Sequence, residues 1–164
     1  MKKHLLYLRY LLLHKWYVLE ECFFFALEYS EPKLIWRGIT HDLTKFLPGE
    51  WFPYVENFYG GYKKGERPRS VVRKFDRALM RHIHRNPHHW GYWIFPGMRK
   101  TGAIKKMPWL RVIEMVADWH AVGRVLKQPD TTVWYERNRS RMDLHPRTMY
   151  AAERILYRRP YKTL

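Results

Sequence analysis

The sequence predicts an all-α fold, built as one domain over residues 1–164. Apolar side chains recur at the three- and four-residue spacings of helices along most of the chain. Proline and glycine, which interrupt helices, cluster in short segments between these stretches. No segment has a convincing strand pattern. Hydrophobic residues make up 46% and aromatic residues 17% of the chain, which is too rich for a disordered protein and sufficient for a substantial core.

The first predicted helix spans residues 4–29. One of its faces carries Tyr7, Leu11, His14, Val18, Cys22 and Phe25. Its other faces are also largely apolar, so we expect a central helix in which the single cysteine is a buried thiol. One cysteine excludes an intrachain disulfide bond.

A second helix is predicted over residues 32–46, with Ser30 as its N-cap and Pro32 in its first turn. This helix carries the dipeptide His41-Asp42, and the Leu47-Pro48 step ends it. The dipeptide is therefore expected on a helical face.

The remaining helices are predicted over residues 49–59, 70–86, 108–127, 131–141 and 146–158. Pro87 ends the helix over 70–86, because the residue before a proline is pushed out of the α region. Pro146 starts the last helix. Two basic loops broken by glycine and proline, 60–69 and 94–108, flank the helix over 70–86.

Histidines and acids stand at four separated places in the chain. Four of the nine histidines fall within residues 82–89. The full set comprises His14, His41, Asp42, His82, His84, His88, His89, Glu114 and Asp118. Imidazole and carboxylate are the usual ligands of a catalytic divalent metal. The pattern predicts one metal centre built from several helices.

Helix phase separates two of these histidines. In the helix over 70–86, Val72, Phe75 and Leu79 mark the inner face, and His82 continues it at helical spacing. His84 falls on a more exposed face. We therefore predict His82 as a ligand and His84 as a surface or substrate residue.

Asp118 lies in line with apolar residues of its helix, and a carboxylate in such surroundings is costly to bury unless it is paired or binds a metal. His14 also interrupts an apolar face, although a lone histidine there is more often a hydrogen-bonded core residue. The coincidence of four such helices in one small domain, whose inward faces must meet, favours a shared metal site.

The net charge of +16 predicts an anionic partner: nucleic acid, a nucleotide or an acidic membrane surface. The alternative is a basic, solubilising surface with no specific ligand. The N-terminus superficially imitates a signal peptide, but Arg9 interrupts its apolar stretch and His14-Lys15 stands where small residues should precede cleavage. No stretch reaches the roughly 18–20 uncharged residues that span a bilayer. We expect a cytoplasmic protein.

The order of His14, His41-Asp42 and Asp118 resembles that of the HD superfamily of metal-dependent phosphohydrolases. That resemblance implies an all-α HD-like bundle, a central metal held by these four residues, and hydrolysis of phosphate esters. Lys45 matches a lysine that some HD families have shortly after the doublet. Some HD proteins hold a second metal through extra histidines, a role that His82 and either His88 or His89 match, with His88 favoured.

Four longer stretches resemble a bacterial and phage family of unknown function, DUF5662: "HDLTKF", "HIHRNPHHW", "EMVADWHAVG" and "LHPRTMYAAERIL". The resemblance covers about residues 10–157. It implies no activity, but a phage-encoded member would work in the host cytoplasm.

Together these observations predict hydrolysis of a nucleotide or related phosphate ester by metal-activated water, with one or two divalent ions. The types of ligand do not distinguish Mn, Fe, Co, Ni, Zn and Mg. Asp42, Lys45 and Glu114 are the predicted catalytic residues, and Glu114 would orient a ligand or act as general base. Lys45 and Arg85 are predicted to hold phosphate, and Trp90 to stack on a base or to belong to the core.

Two other functions fit the same residues. One is a di-iron oxygenase, because some HD proteins with extra histidines have that activity. The other is a basic nucleic-acid-binding protein whose metal is structural or absent. In the hydrolase, Lys and Arg of the loops at 60–69 and 99–106 are expected to concentrate near the mouth of the metal site.

Overall fold

The computed structural model describes residues 1–63, 65–95, 104–128 and 130–158. Within them the fold is all-α, as predicted. The helices are α1 (Lys2–Glu28), α2 (Lys33–Thr40), α3 (Pro48–Tyr59), α4 (Arg69–Arg85), α5 (Trp109–Val125), α6 (Thr131–Asn138) and α7 (Pro146–Arg158). Short 3-10 turns lie at Leu43–Phe46, Trp90–Trp93 and Arg139–Arg141. The described part contains no strand, only an isolated antiparallel bridge between Ile94 and Ile104.

Helix α1 is the element around which the others pack. Its main neighbours are α5 and α2, while α3 contacts both α1 and α4, and α7 covers α5. The predicted inner face of α1 is confirmed: its members from Tyr7 to Phe25 are all buried, Cys22 among them. None of the described helices combines the length and apolar character needed to cross a membrane.

The remaining faces of α1 differ from the prediction. They are apolar but not covered, and Leu5, Trp16 and Leu27 are each more than 60% exposed. Within the described residues helix α1 is therefore not enclosed, because its buried side chains all lie along one face. When apolar residues occur on every face of a helix, the sequence does not show which faces are covered by other helices.

Two apolar clusters form the core. The larger contains Val18, Cys22 and Phe25 of α1 with residues of α5 and α7, and the smaller contains Tyr7 and Leu11 with residues of α3 and α4. On α1, His14 lies between Leu11 of the smaller cluster and Val18 of the larger. The polar site accordingly occupies the junction of the two clusters.

The second predicted helix is shorter than expected. It ends at Thr40, and a separate 3-10 turn follows at Leu43. Ser30 is not its N-cap, since Pro32 holds that position. Ser30 instead has a φ of 54°, a left-handed conformation that ends α1 and prevents Ser30 from capping the next helix.

The prediction that Val72 lies on the inner face of α4 is wrong, because its side chain is 37% exposed. The buried residues of this helix are Ala78 and His82, with Val71 and Phe75 half-buried. These four positions follow the spacing of one helical face, so the buried stripe begins at Val71 and not at its neighbour.

Candidate metal centre

Asp42 lies at the middle of the site because the chain leaves the helical path there. Its φ of 54° and ψ of 24° are left-handed, and its carboxylate is buried. Aspartate is among the few residues that tolerate this conformation, which is sparsely populated and costs on the order of 1–3 kcal/mol. Together with the extended ψ of 129° at His41, this conformation explains why α2 does not continue through the His41-Asp42 dipeptide.

One side of this carboxylate faces a first set of residues, His14, His41 and Asp118, which with Asp42 we call site 1. Asp42 Oδ2 lies 3.8 Å from His14 Nε2 and 3.5 Å from His41 Nε2. Asp118 Oδ1 lies 3.2 Å from His14 Nε2 and 3.5 Å from His41 Nε2. The structure thus brings together the four residues that the sequence pattern selected, although Asp118 and His14 stand on different helices.

The other oxygen of Asp42 faces a second set, His82, His88 and His89, which with Asp42 we call site 2. Asp42 Oδ1 lies 3.3 Å from His82 Nε2 and 3.4 Å from His88 Nε2. His89 Nε2 is 2.8 Å from His82 Nε2. Both His88 and His89 therefore belong to this group, whereas the sequence left the choice between them open.

The spacing of these atoms fits a bound divalent ion. Ligand atoms about 2.1 Å from an ion in a tetrahedral arrangement lie about 3.4 Å from one another. The carboxylate–imidazole distances of site 1, between 3.2 and 3.8 Å, are close to that value and mostly longer than ordinary hydrogen bonds. In site 2, one nitrogen or oxygen from each of the four residues falls within 4.8 Å of the others.

Unpaired polar atoms give a second, independent indication. Within the described residues, His14 Nε2, His41 Nε2, His88 Nε2 and Asp42 Oδ1 are buried without a well-formed hydrogen bond. A buried polar atom left unpaired costs about 1–3 kcal/mol, so a group of them in one place requires an explanation. These atoms are the predicted ligand atoms, and an ion at each site would satisfy them.

Two buried glutamates hold the histidine rings with Nε2 towards Asp42. Glu114 Oε1 lies 3.4 Å from Nδ1 of both His41 and His88, and Glu50 Oε2 lies 2.8 Å from Nδ1 of His82. Carboxylates that engage the second ring nitrogen fix the orientation and tautomer of metal-binding histidines. Glu50 also accepts a hydrogen bond from the Thr44 hydroxyl.

Glu114 has a geometry that favours positioning over direct ligation. Its Oε2 lies 2.8 Å from Arg111 Nη1 and 3.5 Å from Arg37 Nη1. A cation placed between Glu114, His41 and His88 would face these two guanidinium groups, which makes that side of the rings unfavourable for an ion. Of the two roles predicted for Glu114, orientation of ligands is therefore the better supported.

The charges of the cluster shift several pKa values. Burial alone raises the pKa of Asp42, but the neighbouring His41 and Lys45 outweigh it and hold that pKa well below its usual value. Burial lowers the pKa of His41, whereas the nearby Asp42, Asp118 and Glu114 outweigh it and raise the pKa to about 10. The pKa values of Asp118 and Glu114 are lowered as well, so the carboxylates of the cluster remain ionised. His41 by contrast holds a proton in this environment, and binding of an ion at its Nε2 would displace that proton.

Lys45 is the cation closest to the centre. Its backbone N–H donates to Asp42 O over 3.0 Å within the 3-10 turn, and its Nζ lies 2.6 Å from Asp42 Oδ2. Burial lowers the pKa of Lys45, but Asp42 and Asp118 outweigh this effect and raise it above its ordinary value. Lys45 therefore stays charged beside the metal-binding atoms.

A cavity of about 350 Å³ lies next to Lys45. Aromatic side chains of α1 and α3 line most of it: Tyr7, Tyr10, Tyr54, Phe58 and Tyr59. Its wall contacts the metal centre, because Tyr10 stacks on the His14 ring at a centroid distance of 6.0 Å and Tyr54 meets the His82 ring edge-on at 6.2 Å. A molecule in this cavity would reach Lys45, whose Nζ contacts Asp42 of the centre.

Other predicted residues lie outside this arrangement. His84 is exposed, as helix phase predicted, and Arg85 beside it is exposed as well. Trp90 packs half-buried against the larger apolar cluster, which favours the core interpretation over base stacking. In the 60–69 loop, Arg67 Nη1 donates to Asn57 Oδ1 over 2.7 Å. Lys64 of that loop and residues 96–103 of the other lie outside the described residues.

Sequence reasoning missed Glu50 and the aromatic cavity. Glu50 stands in the first turn of α3, where an acid is ordinarily explained by the helix dipole. Nothing in its local sequence distinguishes it from such a residue. Tyrosines at 7, 10, 54 and 59 likewise fit the pattern of core-facing helical positions, and only the meeting of α1 with α3 turns them into the wall of a cavity.

Comparison with known proteins gives a family but no activity. No curated protein and no solved structure matches this chain. A model of a protein family of unknown function, DUF5662, matches residues 3–158, which is nearly the whole chain. The chain with this histidine–carboxylate centre therefore belongs to the DUF5662 family.

Proposed function

We propose that this protein is a metal-dependent phosphohydrolase with an HD-like centre of two divalent ions. The observation that carries the proposal is the placement of Asp42, whose two carboxylate oxygens face separate sets of ligands. A carboxylate so placed can bridge two ions. The chain order of the residues in site 1 resembles the HD superfamily, which supports the same assignment.

In the proposed reaction the protein binds the phosphate ester and then hydrolyses its P–O bond. Bound divalent ions lower the pKa of water and neutralise charge on a phosphoryl group. Lys45 binds an oxygen of that phosphoryl group, while Glu114 and Glu50 keep the histidine rings in place. The oxygen of a water molecule forms a new bond to phosphorus. The electron pair of the ester P–O bond leaves with the ester oxygen, and the departing alcohol takes up the proton that the attacking water loses.

The proposed substrate is a nucleotide or related phosphate ester. Support comes from the net charge of +16, which attracts anions, and from Lys45 in the lining of a cavity with aromatic walls. We propose that the protein acts in the cytoplasm, which is the cytoplasm of the host cell if the protein is encoded by a phage.

A di-iron oxygenase is the second candidate. The composition of site 2 favours it, since three histidines and one carboxylate give a nitrogen-rich set that suits iron as well as zinc. The metal content separates the two functions. Iron with a near-ultraviolet or visible chromophore would support the oxygenase, whereas a redox-inactive ion with release of phosphate would support the hydrolase.

The experiment is metal analysis of protein purified without chelator, followed by a screen of phosphate esters for released phosphate. His82→Ala is the informative variant, and His84→Ala is its control, because the same helix carries both but only His82 is buried. Metal-dependent release of phosphate that His82→Ala abolishes and His84→Ala retains is the expected result. Retention of nucleic acid with steep salt dependence, and no turnover with any metal, would instead favour the nucleic-acid-binding function.

A further inference from the structure

The aromatic-lined cavity beside Lys45 has a chemistry that narrows the class of ligand. Among the described residues that line it, Lys45 is the one cation, and none is an acid or an amide. Tyrosine and phenylalanine rings offer apolar faces, and the tyrosine hydroxyls offer a few polar contacts. The cavity therefore suits a compact molecule with an aromatic or apolar body and a single anionic group.

Tyr7, which lines the cavity, carries a buried polar atom that a bound ligand would pair. Its side chain is buried, and among the described residues its hydroxyl has no hydrogen-bond partner. Burial also raises the pKa of this hydroxyl above its ordinary value, so it remains protonated. An unpaired buried hydroxyl lowers stability unless a bound molecule pairs with it.

We infer that the cavity formed by Tyr7, Tyr10, Tyr54 and Tyr59 binds the organic group of a small phosphomonoester whose phosphate reaches Lys45 and the metal centre. This inference rests on the proposed hydrolase function and specifies its substrate class. It selects aryl and apolar alkyl monophosphates over nucleoside triphosphates. A triphosphate brings several more negative charges to a cavity that has one cation among its described lining residues.

Binding and turnover are measured separately, so that the two proposals can fail separately. Phenylphosphonate serves as the binding probe, because its C–P bond is not an ester and survives the proposed reaction. Its affinity is measured by calorimetry on the full-length protein, with and without added divalent metal. Turnover is compared for phenyl phosphate, adenosine monophosphate and adenosine triphosphate. The expected order of kcat/KM places phenyl phosphate first and the triphosphate last.

Tyr7→Phe tests the hydroxyl without disturbing the fold. Removal of an unpaired buried hydroxyl is expected to leave Tm unchanged or higher, while the Kd of phenylphosphonate rises about three- to tenfold from the loss of one hydrogen bond. Tyr150→Phe is the matched control, since Tyr150 is exposed on α7. An unchanged Kd in Tyr7→Phe contradicts the inferred contact.

Leu126→Glu tests the rim of the cavity. Leu126 lines the cavity yet is 55% exposed, so a carboxylate there is tolerated and repels an anionic ligand. Leu27→Glu is the control, because Leu27 is also exposed and lies about 25 Å from Tyr10 along α1. We expect a several-fold loss of phenylphosphonate affinity in Leu126→Glu alone.

Phenylphosphonate that binds with the expected responses, in a protein that cleaves no ester with any metal, supports the ligand class and contradicts the hydrolase. Cleavage of the triphosphate in preference to phenyl phosphate, unaffected by Tyr7→Phe and Leu126→Glu, supports the hydrolase and overturns the inference.

Discussion

Lys45 Nζ lies 2.6 Å from Asp42 Oδ2, three residues earlier in the chain. The left-handed backbone of Asp42 starts the 3-10 turn that brings these two side chains together. The ion pair joins a candidate bridging ligand to a cation that lines the aromatic cavity. The candidate metal centre and the proposed site for an anionic ligand are therefore linked through one short turn, which carries both Asp42 and Lys45.

Asp42→Asn is expected to lose metal from both sites but to keep the fold. Asparagine also tolerates a left-handed backbone, whereas alanine in this conformation costs about 1 kcal/mol more. Asp42→Ala should therefore lose metal equally and also melt at a lower temperature than Asp42→Asn. Mass spectrometry measures the metal content of both variants. Thermal unfolding followed by circular dichroism compares their melting temperatures. Full metal content in Asp42→Asn would contradict its role as a shared ligand.

Lys45→Met should keep the metal and lose activity. The substitution removes the charge of Lys45 and roughly preserves its length, and no predicted ligand atom is changed. Loss of one group that stabilises developing charge costs about 10²–10³-fold in kcat. Steady-state kinetics with the best ester from the screen, together with metal analysis, measures both effects. If activity falls in proportion to a loss of bound metal, Lys45 only helps to maintain the metal site and does not act on the substrate.

Glu50→Gln is expected to weaken metal binding at site 2. The amide still fits the space but orients the His82 ring less strongly than the carboxylate 2.8 Å from its Nδ1. Loss of such a partner typically costs about 10- to 100-fold in metal affinity. Competition with a chromophoric chelator gives the affinity. Glu66→Gln, at an exposed glutamate of the 60–69 loop, should match the unaltered protein.

Gly38→Ala should destabilise the contact between α1 and α2. A Cβ on Gly38 would lie 3.0 Å from both Cys22 Cβ and Leu19 Cα, one of which is backbone and cannot move aside. Overpacking of this kind costs about 1–3 kcal/mol of unfolding free energy. Denaturant unfolding measures the loss. Gly49→Ala is the control, since its nearest atom is the flexible end of Arg81 at 3.4 Å, and it should unfold at nearly the same denaturant concentration.

Neutralising Lys63 and Arg69 to glutamine tests the role of the 60–69 loop. If this exposed loop steers the substrate, kcat/KM should fall and its dependence on ionic strength should weaken, with kcat little changed. Arg67 is left in place because it donates to Asn57 and contributes to structure. If kcat/KM and its dependence on ionic strength are unchanged, the charges of the loop do not steer the substrate and instead serve another partner, such as nucleic acid.

The helical class and the buried face of α1 could be predicted from the sequence, because a residue's face is set by its spacing from apolar neighbours. The set of four residues in site 1 rested in addition on its resemblance to the order of the HD superfamily, since the His41-Asp42 dipeptide carries no periodic signal. The same periodicity placed His82 inward and His84 outward on α4, even though Val72 was assigned to the wrong side. His14 and Asp118 were recognisable because polar groups on apolar faces require a partner.

How Asp42 serves two sites, and which residues support them, could be seen only in the folded structure. The left-handed turn at Asp42 breaks the helical pattern from which the sequence was interpreted, and it also places Lys45. Glu50 approaches His82 through the packing of α3 on α4, a contact between helices that carries no local signal. The aromatic cavity arises in the same way, where tyrosines of two helices meet without filling the space between them.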